Sequence, residues 1–169
     1  YTATAGANNG TATINANGFD VSLAATTGSS GYTLRNTDAS GAVLSGVVSL
    51  TGSSQADTIT GGSGNDSLTG GSGIDTFDVD AGSDTISDLG LGGADILNVT
   101  AGATATATVA QAYTATAGAN NGTATINANG YDVNLDATTG SSGYTLRNTD
   151  GTGGAAGTTG VTLTGSSRA

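Results

Sequence analysis

The chain has 169 residues, 30 of them Gly, with no Cys, Pro, Met, Trp or His and a formal charge of −10. All 13 acids are Asp and the only bases are Arg35, Arg147 and Arg168, a balance that argues against a nucleic-acid partner. The lack of His, Cys, Lys and Glu leaves no tuned base or nucleophile, which argues against an enzyme, and no apolar run reaches membrane-spanning length.

So small and polar a composition commonly means linker or disorder. Here polar residues alternate with Val, Ile, Leu and Tyr, so an ordered all-β chain is expected, provided something offsets the entropy of ordering so much Gly. Five Tyr and two Phe make only a small core, so stability is expected to come partly from sheet hydrogen bonds and partly from metal or neighbouring chains. The missing Glu, Lys and Met and the abundant Thr favour strand over helix.

In chain order, period-2 patterns predict strands over 1–5, 11–15, 19–23, 32–36 and 43–50. Asn9-Gly10 and Asn17-Gly18 are hairpin dipeptides, because Asn and Gly tolerate the positive φ of tight primed turns. Residues 1–50 therefore read as a small antiparallel β module, a meander or sandwich.

Residues 52–87 then divide into four nines: GSSQADTIT, GGSGNDSLT, GGSGIDTFD and VDAGSDTIS. Asp recurs at 57, 66, 75 and 84, and an apolar residue follows two later at Ile59, Leu68, Phe77 and Ile86. The middle nines follow the pattern G-G-x-G-x-D-x-U-x, which suits calcium. The Gly-rich half turns tightly and gathers carbonyl oxygens where a Cβ would obstruct, and a hard cation takes six to eight such oxygens. The remaining residues form a short strand with its apolar side chain inward. Each nine is half a coil, so Asp57 is expected to face Asp75, and Asp66 to face Asp84. Without the ion these carboxylates repel, so folding and binding are expected to be one event.

A long alternating strand is predicted over 101–112. Residues 113–150 then repeat residues 1–38, with Tyr131 for Phe19, Asn134 for Ser22 and Asp136 for Ala24. Strands are expected again at 113–117, 123–127, 131–135, 144–148 and 160–163. VTLTGSSRA (161–169) matches VSLTGSSQA (48–56), so the sequence reads as about one and a half units of a longer tandem array. The expected divisions are a β module over 1–50, a β-roll over 51–100, and a linking strand with a second module over 101–169.

The nines resemble the RTX repeat family of bacterial proteins exported by type I secretion. That resemblance implies a parallel β-roll, unfolded in calcium-poor cytoplasm and folded outside the cell. Carried over, the ligands are carbonyls of Gly61, Gly62, Ser63, Gly64, Gly70, Gly71, Ser72 and Gly73, with the carboxylates of Asp66 and Asp75. The first nine departs from the pattern at Ser53, Ser54 and Gln55 and keeps Asp57; the fourth keeps Gly82 and Asp84. The run AGSDTISDLGLGGADILNV resembles a roll-ending segment, which makes Asp88 and Asp95 candidate capping ligands.

The expectation is an all-β extracellular protein in which a calcium-loaded parallel β-roll alternates with a small antiparallel module. Its function is expected to be structural: a filament, surface layer or adhesin stalk that self-associates through strand edges. The alternative is an adhesin that takes a cell-surface glycan through loops at 24–31 and 136–143; a third reading is an export region whose activity lies elsewhere. Thr-x-Thr pairs at 2/4, 11/13, 104/106 and 106/108 raise an ice-binding ladder, but in the sequence they do not recur at a coil period.

Overall fold

The computed structural model describes residues 1–149, 152, 154 and 160–167. No helix occurs among them, and the strands are short. In the first half they are β1 (Ala7–Asn8), β2 (Ala12–Asn15), β3 (Val21–Ser22), β4 (Thr27–Gly28), β5 (Tyr32–Arg35), β6 (Ser49–Thr51), β7 (Thr58–Thr60), β8 (Ser67–Thr69) and β9 (Thr76–Val79). In the second half they are β10 (Ser83–Leu89), β11 (Ile96–Val99), β12 (Thr104–Val109), β13 (Tyr113–Thr114), β14 (Ala119–Asn120), β15 (Thr123–Asn127), β16 (Val133–Asn134), β17 (Tyr144–Arg147) and β18 (Leu163–Thr164).

These strands wind into a parallel β-solenoid of about seven turns. A seven-stranded sheet runs β17-β15-β12-β10-β8-β6-β3, and a six-stranded sheet facing it runs β14-β11-β9-β7-β5-β2. Across the nines the coil has these two faces and a register of 18 residues, as in Leu50 opposite Leu68 and Ile59 opposite Phe77. On either side a third strand is added, in the sheets β1-β4 and β13-β16-β18, and the register lengthens, as in Ala12 opposite Tyr32 (20 residues), Val21 opposite Leu50 (29) and Val133 opposite Leu163 (30).

The core is the stack of inward residues. Leu34, Ile59 and Phe77 pair along one sheet, and Leu50, Leu68 and Ile86 along the other; all six are fully buried. The apolar residue two after each Asp thus points inward, as its spacing predicts. Phe77 is the largest side chain at the centre. Phe77→Ala is expected to cost about 3–5 kcal/mol through the cavity it leaves, read as a lower urea midpoint in saturating calcium.

The antiparallel module expected over 1–50 is not formed. Every ladder is parallel, and the one antiparallel contact among the described residues is the isolated bridge Thr37–Val43. Asn17 and Gly18 do adopt the left-handed pair (φ 54° and 79°), but they turn a corner between β2 and β3 and do not fold one onto the other. The Asn36 side chain, one coil further on, closes that corner by accepting the Gly18 N–H at 2.9 Å. Asn129, Gly130 and Asn148 repeat the device. The physical reason is the small core: Ile14 stacks on Leu34 and through it on Ile59, which a separate hairpin could not offer it. The predicted strand 1–5 reduces to a bridge from Thr2 to Ser22, and 43–50 to β6. Residues 37–46 leave the coil, held by Asn36, whose Nδ2 donates to the Gly46 carbonyl at 3.1 Å.

The two sequence copies do not occupy the same faces. β2 lies in the six-stranded sheet, whereas its equivalent β15 lies in the seven-stranded one; β5 and β17 differ in the same way. One unit therefore advances the solenoid by five coils and one further face. Ser-x-Thr and Thr-x-Thr pairs also stack coil upon coil along the seven-stranded sheet, contrary to the sequence expectation. A register that drifts between 18 and 21 along this sheet hides the ladder from any fixed period.

Candidate metal centre

The Gly-rich segments form the two edges of the roll. One edge carries the loops 52–57, 70–75 and 90–95, and the other the loops 61–66 and 80–82. The loops approach one another closely: a Cβ on Gly82 (φ 78°) would run into the Gly64 carbonyl of the coil before, and one on Gly70 into Asp75 Oδ2. Gly61 and Asp66 stand in the same relation.

Each loop ends on a buried Asp whose carboxylate reaches back one coil. On the first edge the Asp57 N–H donates to Asp75 Oδ1 at 2.8 Å, and the Asp75 N–H to Asp95 Oδ1 at 2.9 Å. On the second edge the Val48 N–H donates to Asp66 Oδ1 at 2.8 Å, and the Asp66 N–H to Asp84 Oδ1 at 3.0 Å. The structure thus brings Asp57 to Asp75 and Asp66 to Asp84, the pairs that half-coil spacing predicts.

The second oxygens separate these carboxylates into two kinds. Asp66 Oδ2, Asp75 Oδ2 and Asp84 Oδ2 are buried with no hydrogen-bond partner. Asp57 Oδ2 instead accepts from the Ser53 N–H at 2.6 Å and the Ser53 hydroxyl at 2.9 Å. Asp88 accepts from the N–H groups of Gly70 and Gly71 at 3.0 and 2.8 Å. Asp95 Oδ2 accepts from the Gly90 N–H at 2.7 Å. Both candidate capping ligands therefore act as backbone caps, with every carboxylate oxygen answered. Ser53 is the residue that sequence reasoning passed over; a hydroxyl in place of the second Gly of a nine, four residues before its Asp, is the signal that marks it.

Burial dominates the electrostatics. It pushes Asp75 and Asp84 up to about 7 and Asp95 up to about 6, with neighbouring carboxylates adding to the rise. Asp66 is raised for the same reason. A buried carboxylate oxygen without a donor carries a large desolvation cost, and a cation is the partner that removes it. No three His, Cys, Asp or Glu side chains converge among the described residues, so backbone carbonyls would have to supply most of the oxygens, which suits a hard cation. Gly61, Gly62, Ser63 and Gly64 turn one loop and Gly70, Gly71, Ser72 and Gly73 the other, with Ser63 and Ser72 exposed at the rim.

The family comparison agrees with this geometry. Residues 50–86 match the family model of the RTX calcium-binding nonapeptide repeat, in four copies. This segment is similar to the RTX repeat family. The match spans under a quarter of the chain. No curated protein and no solved structure matches the chain. Within the RTX segment, Gly70→Ala is expected to weaken calcium binding at least tenfold by isothermal titration, because its methyl group would occupy the space beside Asp75 Oδ2.

Proposed function

We propose that this chain belongs to an extracellular structural protein, a filament or surface layer, in which calcium bound at the RTX edges rigidifies each unit of a tandem array. The observation that carries the proposal is the position of the unanswered oxygens of Asp66, Asp75 and Asp84. They lie at the middle of one continuous solenoid whose flanks are copies of the same sequence. These three carboxylates would hold calcium together with carbonyls of the 61–64 and 70–73 loops. Calcium supplies positive charge there; the chain supplies loops that Gly permits to close. RTX repeats are typical of secreted proteins that meet calcium outside the cell, which supports an extracellular location, and the reading assigns the chain no catalysis.

A unit that advances five coils and one face keeps the solenoid continuous while turning its calcium edges from unit to unit. The seven-stranded sheet ends at β17, whose outer side pairs with no strand among the described residues and where a further unit or a second copy adds its coil; at the other end the outer side of β3 is taken by Thr2. The test is negative-stain microscopy and sedimentation of the chain with calcium and with EGTA. Calcium-dependent rods or larger species are expected; equal particles in both conditions would sink the assembly reading.

A second reading, an adhesin for a cell-surface glycan, is favoured by a cleft of about 310 Å³ on the six-stranded sheet. Arg35, Thr58, Thr60, Asp78 and Asp80 line it, and the 37–46 excursion walls it. A glycan array probed with the calcium-loaded chain and with Arg35→Ala separates the readings: binding lost in the variant supports the adhesin.

A further inference from the structure

We propose that the outer face of the seven-stranded sheet binds ice. Six strands place a hydroxyl at one register position: Ser49, Ser67, Thr85, Thr106, Thr125 and Thr145 are consecutive lateral partners. Two residues along, a shorter rank holds Thr51, Thr69 and Ser87, with the hydroxyls of Thr69 and Ser87 2.8 Å apart, and Thr108 lies beyond a register shift in β10. All of these residues are exposed or half-buried.

In-register parallel strands stand about 4.8 Å apart, and alternate residues of one strand about 6.6 Å apart. The face is therefore a grid of hydroxyls, close to the oxygen spacings on the faces of hexagonal ice. Threonine is stiff about χ1, so much of the grid is fixed before water meets it, and little ordering is left to occur on binding.

Charge gives the second argument. The chain carries 13 Asp, yet none occupies an outward position on the six strands that carry the hydroxyls. Asp84 and Asp88 of β10 are turned inward and buried, and the face's charges among the described residues stand at its two ends, Arg147 on β17 and Asp20 beside β3, whose carboxylate accepts the Ser49 N–H at 2.7 Å. An ion holds its own hydration shell and disrupts an ice lattice. The opposite sheet offers the contrast within one molecule: Arg35 and Asp78 interrupt its outward rank beside Thr60.

The experiment is ice-affinity partitioning and thermal hysteresis on the full chain in saturating calcium, with circular dichroism on every variant. The chain is expected to concentrate in slowly grown ice. Thr85→Lys with Thr106→Lys is expected to reduce its incorporation at least tenfold, and Thr58→Lys on the opposite sheet to leave it unchanged. Should the double variant lose its β signal, Thr106→Lys alone carries the test. Exclusion of the unmodified chain from ice, an equal loss from Thr58→Lys, or retention on crystalline cellulose without ice binding overturns the proposal. Every arm is calcium-loaded and checked for folding, so its failure leaves the calcium reading untouched.

Discussion

Chelating calcium at pH 7.5 is expected to remove more than half of the far-UV β signal, well beyond the share of residues that the RTX match spans. Without a cation, Asp66, Asp75 and Asp84 each keep a buried oxygen that no donor answers. Leaving one buried carboxylate uncompensated costs roughly 3–5 kcal/mol. Three together rival the roughly 5–15 kcal/mol by which a whole domain is stable. Calcium reverses this by binding only the folded chain, with a gain of about 4 kcal/mol per site at a thousandfold excess over Kd.

The loss spreads because the roll is the centre of one stack. A solenoid coil draws its stability from its neighbours. Leu34 packs beneath Ile59, and Ala105 stands beside Asp84 in the register of β10 and β12, so both flanks lose an inner partner when the RTX coils melt. The flanking cores are lined by small residues such as Ala103, Ala105, Ala107 and Ala124, which bury little area of their own. The check is a calcium titration by circular dichroism from the EGTA-treated chain. A β signal indifferent to EGTA would falsify the coupling of metal to fold.

The RTX segment was the legible part of the sequence because its period is strict and its residue types are few. Asp every ninth residue and an apolar side chain two later are sufficient to place β7, β8, β9 and the start of β10, and to pair the edges. The flanks were not legible for a local reason. Asn17-Gly18 adopts the same left-handed pair whether the chain reverses or turns a corner. What decides between them is the partner of β2, and that is Tyr32–Arg35, 20 residues on, at a register the nines do not share. The carboxylates show the same limit. Asp75 and Asp95 are alike in type and in burial, yet one leaves an oxygen open and the other closes both, because the Gly90 N–H happens to lie at the end of β10. Spacing finds the acids; only backbone placement says which are already answered.

Acid is expected to do part of what calcium does. The folded, metal-free chain holds Asp75 and Asp84 near 7 and Asp95 near 6, whereas an unfolded Asp titrates near 3.9. Between about pH 4 and 7 the folded chain therefore binds more protons than the unfolded chain, so its stability rises as pH falls and is lost as pH climbs through 7. This is the reverse of the usual salt-bridged Asp. Two such groups contribute about 2.7 kcal/mol per pH unit where both titrate. In EGTA, lowering the pH from 7.5 to 5 is expected to restore β signal; in calcium the same change is expected to weaken apparent affinity by about tenfold for each proton displaced per pH unit. Asp75→Asn with Asp84→Asn fixes the neutral state: each side chain keeps an Oδ1 for the N–H of Asp57 or Asp66 and loses its charge. That variant is expected to hold its β signal in EGTA at pH 7.5, with little response to pH or to calcium. A variant that unfolds in EGTA as the parent does would show that the buried charge is not what calcium offsets, and would return the role of the ion to the carbonyls of the loops.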